Sequence, residues 1–163
     1  MTLVVGLPRP QSARKILNQA SSLGVRKIIF FRTDRGESAY AKSRLWTTGE
    51  YKRHLLEGVQ QAFSTRIPGF KLSASLNDCM KMINSADRIV LDNYEAEISL
   101  NKYKIKQDNC YLFVGPENGW SSRERDILRE NGFSLTHLGN RVLRTETACV
   151  SGITLLLAKM GLI

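Results

Sequence analysis

The chain has 163 residues, 42% of them hydrophobic, and carries 24 Lys and Arg against 15 Asp and Glu, a formal charge of +9. That is enough apolar sequence to bury the core of one domain, residues 1–163, and calls for no second one. The basic excess favours a polyanionic partner, nucleic acid foremost, and the apolar stretch Ile153 to Ala158 is far too short to span a bilayer.

In chain order, Thr2 to Leu7 is a β-rich apolar strand ended by Pro8-Arg9-Pro10. Ala13, Ile16, Leu17 and Ala20 then recur at helical spacing from Ser12 to Leu23, with Gly24 placed to stop the helix. Lys27 to Arg32 is apolar on both faces, as a buried parallel strand requires, so the chain opens as βαβ. Thr33 to Trp46 has no period and reads as a loop. Arg32, Arg35, Lys42 and Arg44 are interleaved there with Tyr40 and Trp46, a pattern suited to RNA backbone contact with base stacking, and equally to a solvated loop anchored by its aromatics.

Thr47 with Glu50 predicts a capping box for a helix running to about Phe63, before Pro68-Gly69. A short strand follows at Lys71 to Ser73, then a helix from Leu76 to Asn84 capped by Ser75, and a strand at Arg88 to Leu91. Asp92 to Asn109 is polar and basic. Lys102, Lys104 and Lys106 alternate in it, as on a solvated edge strand, the favoured reading, or as phosphate contacts. Strands at Cys110 to Val114 and Phe133 to His137 flank a helix from Ser122 to Asn131, and a final helix runs from Glu146 to Met160 with Thr145 as its cap. Its small residues Ala148, Cys149 and Gly152 predict close packing on more than one side, in the core or at a dimer interface.

Cys79, Cys110 and Cys149 are odd in number and include no Cys-x-x-Cys, so neither a disulfide framework nor a zinc site is indicated, and a reducing cytoplasmic setting fits. His54 and His137 have no clustered Cys or acidic partners and read as structural; no metal is expected.

Two stretches carry the chemistry. Val114-Gly115-Pro116-Glu117-Asn118-Gly119-Trp120-Ser121 runs from a strand through a tight loop into a helix, with Ser121 and Glu124 forming a capping box. Leu138-Gly139-Asn140-Arg141-Val142-Leu143-Arg144-Thr145-Glu146-Thr147-Ala148 does the same about twenty residues later. Loops leaving the carboxyl ends of strands build the ligand crevice of an α/β protein, so the pair predicts one pocket between them.

Together the two stretches closely resemble the signature of the RsmE family of small-subunit ribosomal RNA uridine-N(3) methyltransferases, in the knotted SPOUT class. The resemblance implies a mostly parallel sheet with helices on both faces, a C-terminal deep trefoil knot, S-adenosylmethionine held in the knot loops, and a homodimer packed through the knot. Cofactor binding falls on Leu91, Gly115, Pro116, Glu117, Asn118, Gly119, Leu138, Gly139, Val142, Leu143, Thr145 and Ala148. Methylating a uracil nitrogen requires stabilising the developing imidate; Arg144 is the first choice for that role and Arg141 the second, with a salt bridge from Arg144 to Glu117 or Glu146 as the structural alternative. Glu117 is expected to fix its loop rather than act as a base.

The chain also departs from the family pattern. Members usually begin with a PUA-like RNA-binding domain, whereas this sequence opens at the first strand of the catalytic domain. Gln19, Ser22 and Ser64 stand where Lys, Glu and Arg are usual. Two rival readings follow: a non-catalytic RNA-binding protein on the same scaffold, and a ribose 2′-O-methyltransferase, whose usual Ser-Leu-Asn-Val-Ser ending is absent.

Overall fold

The computed structural model describes residues 1–163. Seven strands form one sheet: β1 (Thr2–Gly6), β2 (Lys27–Phe31), β3 (Gly69–Ser73), β4 (Asp87–Leu91), β5 (Ile98–Ser99), β6 (Cys110–Val114) and β7 (Ser134–His137). Their order is β3-β2-β1-β6-β4-β7-β5, and every neighbouring pair is parallel. Six helices accompany them: α1 (Pro10–Ser22), α2 (Arg44–Thr47), α3 (Tyr51–Gln61), α4 (Leu76–Met80), α5 (Ser122–Glu130) and α6 (Thr145–Lys159).

Strand side chains alternate between two cores, as the period of two requires. Leu3, Val5, Ile28, Phe30, Ile89, Leu91, Leu112 and Val114 face one side, with α1, α3 and α6 upon them. Val4, Ile29, Phe31, Val90 and Phe113 face the other, covered by α4, α5, Trp120 and Phe133. With both faces covered, the central strands β1, β2, β4 and β6 are apolar over most of their length, which is why they read as runs rather than alternations. The small residues of α6 serve this packing. A Cβ on Gly152 would stand 2.9 Å from Leu112 and 3.2 Å from Leu91, so the helix lies directly on β6 and β4.

The order of strands departs from the order of the chain in the half of the sheet beyond β1. The connection leaving β4 travels outward to the sheet edge, pairs there as β5, and returns to insert β6 between β1 and β4. β7 later enters the slot between β4 and β5, two strands already joined covalently by Asp92–Glu97. Asp87 pins the return by accepting from the Tyr103 hydroxyl and the Lys106 and Gln107 amides, each at 2.8 Å.

Several local expectations are corrected. The segment after β2 is not a structureless loop: Ser38–Lys42 forms a 3₁₀ turn and α2 follows it. Trp46 stacks on Phe70 at 5.6 Å between ring centres and donates Nε1–H to the Tyr40 carbonyl, so of the two readings of this segment the one in which its aromatics anchor it holds for Trp46. Thr47 caps nothing, because it lies inside α2; Glu50 begins α3 without a side-chain cap and instead accepts from Arg14 and meets His54. The Ser75 cap is present, but α4 ends four residues early, at Met80. Lys102, Lys104 and Lys106 point to solvent from a 3₁₀ end and an extended segment with no strand partner. Thr145 is the first residue of α6 and buried, and Arg144 holds the cap position.

Candidate active site

The carboxyl ends of β1, β6, β4 and β7 lie side by side, and the loops that leave them surround a crevice of about 710 Å³. Its deep wall is apolar: Leu91 and Val114 at the strand ends, with Leu138, Leu143 and Ala148 from the second loop and α6. Arg9, Lys15 and Arg144 bring positive charge to its edge.

The first loop is held by the residues its sequence supplies. Gly119, at φ +67°, closes a turn by donating its N–H to the Pro116 carbonyl at 2.9 Å. Trp120 is 2% exposed and donates Nε1–H to the Leu91 carbonyl at 2.9 Å, fastening the loop to the end of β4. Gly115 lies against that indole, where a Cβ would come within 3.2 Å of it. The capping box at Ser121 and Glu124 is complete. Glu117 accepts from the Arg9 backbone at 3.0 Å and its guanidinium at 3.4 Å, so its carboxylate ties the loop to the start of α1.

On the opposite wall, Asp92 is the central group. It is buried, pairs with Arg125 through a short contact and a second at 3.4 Å, and accepts the backbone N–H of Tyr94 at 2.7 Å. The second loop is open by contrast. The amides of Leu138 and of Asn140 through Leu143 donate to no group of the chain; Gly139 alone is fixed, its N–H on His137 Nδ1 at 3.1 Å. Apolar walls with free amides above them fit a ligand that combines a flat base with polar edges.

Of the residues singled out from sequence, Leu91, Gly115, Pro116, Glu117, Asn118, Gly119, Leu138, Val142, Leu143, Thr145 and Ala148 all line the crevice, as does Arg144. Gly139 and Arg141 do not. Arg144 is exposed and forms no ion pair, because Glu117 is taken by Arg9 and Glu146 by Lys15. Burial works against ionising Glu146, but its own backbone N–H, Lys15 and Ser12 together hold its carboxyl below the usual range. Arg32, Arg35, Lys42 and Arg44 are exposed and lie outside the crevice. Arg35 is joined to the first loop by reciprocal bonds with Asn118, at 3.4 and 3.2 Å; the other three make no ion pair. Sequence reasoning missed Arg9, Ser12, Lys15, Tyr94 and Arg125 as lining residues. Arg9, between two prolines at a strand end, carried a local signal.

Gln19, Ser22 and Ser64, the departures from the family pattern, all fall away from the crevice. No three His, Cys, Asp or Glu side chains are grouped to hold a metal, and no helix is long and apolar enough to cross a membrane. The three cysteines are buried; burial pushes the Cys79 and Cys110 thiols up to about 11 and raises Cys149 as well, so none is a ready nucleophile.

A parallel sheet with its crevice at the strand carboxyl ends, roofed by one fastened and one open glycine loop, defines an α/β ligand-binding domain. Residues 1–157 match the model of the RNA methyltransferase domain family, and the chain belongs to that family. It is 29% identical over 97% of its length to ribosomal RNA small subunit methyltransferase E 1 of Borreliella burgdorferi, and 32% identical over 96% to the methyltransferase E of Treponema pallidum. It spans 67% and 61% of those relatives' lengths. The fold matches that of ribosomal RNA small subunit methyltransferase E from Neisseria gonorrhoeae, solved bound to S-adenosyl methionine, with a TM-score of 0.85 at 23% identity, covering 96% of this chain and 65% of that one.

Proposed function

We propose that the chain is an S-adenosylmethionine-dependent RNA methyltransferase acting on ring nitrogen 3 of a uridine in small-subunit ribosomal RNA. The observation that carries this reading is the crevice itself: eleven of the twelve positions that the family signature assigns to the cofactor line one cavity. Family membership and the named functions of the relatives support the substrate class.

When bound, the cofactor supplies an electrophilic methyl group on a sulfonium. The chain's own groups do the rest. Leu91, Val114, Leu138, Leu143 and Ala148 would receive an adenine face, and the free amides of Leu138, Val142 and Leu143 would meet its polar edge. Glycines at 115 and 119 allow the backbone to approach closely. Alignment of the two reactants is the main contribution, worth on the order of 7–11 kcal/mol in well-positioned reactions. Arg144, unpaired at the crevice edge, stabilises negative charge developing on the uracil carbonyl; Arg141, outside the crevice, is left a supporting role in RNA contact. Arg32, Arg35, Lys42 and Arg44 hold the RNA backbone. The topology around β7, which enters between β4 and β5 after those two are joined, supports a trefoil knot, and a homodimer packed through it in the cytoplasm completes the reading.

Calorimetric titration with S-adenosylmethionine and S-adenosylhomocysteine is the test. Saturable binding that Gly119→Val abolishes is expected; no binding at millimolar cofactor refutes the assignment. Arg144→Ala is expected to lower turnover by about two orders of magnitude or more while cofactor affinity stays nearly unchanged. An equal fall in affinity would make Arg144 a cofactor ligand instead.

A further inference from the structure

Resting on that reading, we infer that Tyr94 is the platform on which the target base of the RNA stacks. Tyr94 lines the crevice yet is 76% exposed, whereas Leu91 and Val114 deeper in the same cavity are 8% and 4% exposed. An aromatic ring this open inside a cavity presents a face on which a second flat ring can stack. Its position is nevertheless fixed. Asp92 Oδ1 accepts the N–H of Tyr94 at 2.7 Å and that of Glu95 at 3.3 Å, setting the backbone in a local turn. Asp92 is itself held by Arg125 and by its own N–H on the Thr136 carbonyl at 2.9 Å.

The guanidinium of Arg125 lies 5.5 Å from the centre of the Tyr94 ring. Arg125 is 5% exposed, so this cation covers the inward side of the ring and leaves the outward side free. It is in turn held between Asp92 and Glu95, the latter at 3.5 Å, and so cannot swing away without breaking both pairs. The ring edge meets the first loop, with Cε2 3.8 Å from where a Cβ on Gly119 would stand. This places an open aromatic face beside the cofactor loop and on the same cavity as Arg144, where an unstacked base has to sit to be methylated. The cofactor's adenine is served by the deeper apolar wall. A base drawn out of the RNA loses its stacking partners, and an aromatic face replaces them regardless of base identity.

The experiment compares wild type, Tyr94→Ala and Tyr94→Phe. It measures S-adenosylhomocysteine affinity by calorimetry, binding of a fluorescein-labelled oligouridylate in the presence of that product, and methylation of unmodified small-subunit ribosomal RNA. Loss of one stacked base weakens binding by roughly five- to a hundredfold. Tyr94→Ala is therefore expected to lower oligouridylate affinity and kcat/KM for RNA by a factor in that range and to keep product affinity within about twofold; Tyr94→Phe, which keeps the ring, restores both. If product affinity falls as far as RNA affinity, the ring belongs to the cofactor and the inference is wrong. It is equally wrong if Tyr94→Ala matches wild type in all three measurements. Wild-type protein that binds neither product nor oligouridylate would overturn the methyltransferase reading itself, a result distinguishable from the other two.

Discussion

Gly6 offers a direct test of how the fold shapes the crevice. It ends β1, whose register is fixed on one side by β2 and on the other by β6. An added Cβ would lie 2.7 Å from Pro116 Cδ, 2.7 Å from Thr33 Cγ2 and 2.9 Å from the Pro116 backbone nitrogen. Ordinary carbon contacts are about 3.5–4.0 Å, so each neighbour has to retreat by roughly 1 Å. The strand cannot yield, which leaves Pro116 to move. Pro116 accepts from Gly119, and the adjacent Glu117 holds Arg9, so the displacement is passed along the first loop. Overpacking of this kind costs about 1–3 kcal/mol, and a chain of this size loses about 2–4 °C of Tm per kcal/mol. Gly6→Ala is accordingly expected to lower Tm by about 2–12 °C and to weaken S-adenosylhomocysteine binding by about tenfold or more. Gly69→Ala is the control, since its Cβ would make only an ordinary 3.5 Å contact with Lys27. Thermal melting and calorimetry on both variants decide the matter. A Gly6→Ala protein that melts and binds like wild type would show that the loop is not positioned by this contact.

Two further perturbations probe the electrostatics. Arg125→Leu leaves Asp92 buried without its cation and is expected to cost about 3–5 kcal/mol in urea unfolding, part of it recovered by adding Asp92→Asn; a cost below about 1 kcal/mol would mean the pair is replaceable. Glu50 is held down to about 2, first by the Arg14 guanidinium and then by His54. Its folded pKa is below its unfolded one, so this stabilisation is complete above the ordinary carboxylate range and disappears as pH falls toward about 2. The melting temperature of wild type should therefore drop more steeply between about pH 5 and pH 2 than that of Glu50→Gln; parallel curves would count against the coupling.

The centre of the sheet was legible because burial on both faces leaves apolar runs, and β1, β2, β4 and β6 fall on such runs. Local chemistry was read well where a side chain serves its own backbone, as at Ser75 and Ser121. It was misread where a distant partner competed. Glu50 had the spacing of a capping residue, but Arg14, thirty-six positions earlier, claims its carboxylate. At Trp46 two readings stood level, RNA stacking and a loop anchored by its aromatics, and only the distant partners Phe30, Phe70 and Tyr51 decide for the anchor. In the site, both glycine loops announced themselves, while Lys15 and Arg125 did not, because membership of the crevice depends on which helix face turns inward. No periodicity carries the insertion of β6 between β1 and β4, which is a property of the whole path.

That insertion governs the order in which the protein can be made. Until Cys110–Val114 has been synthesised, β4 has no neighbour, and the three-stranded piece formed by β1, β2 and β3 has an unfilled edge where the centre of the sheet belongs. β7 then has to enter a slot whose two sides are already one continuous stretch of chain, and α6 arrives last to cover Leu91 and Leu112. The crevice draws on residues from Arg9 to Ala148, so no amino-terminal fragment short of the second glycine loop contains it. Contacts this distant in sequence form slowly. A ligand that bridges both loops would act as a late clasp, bound only by chains that have completed the whole path.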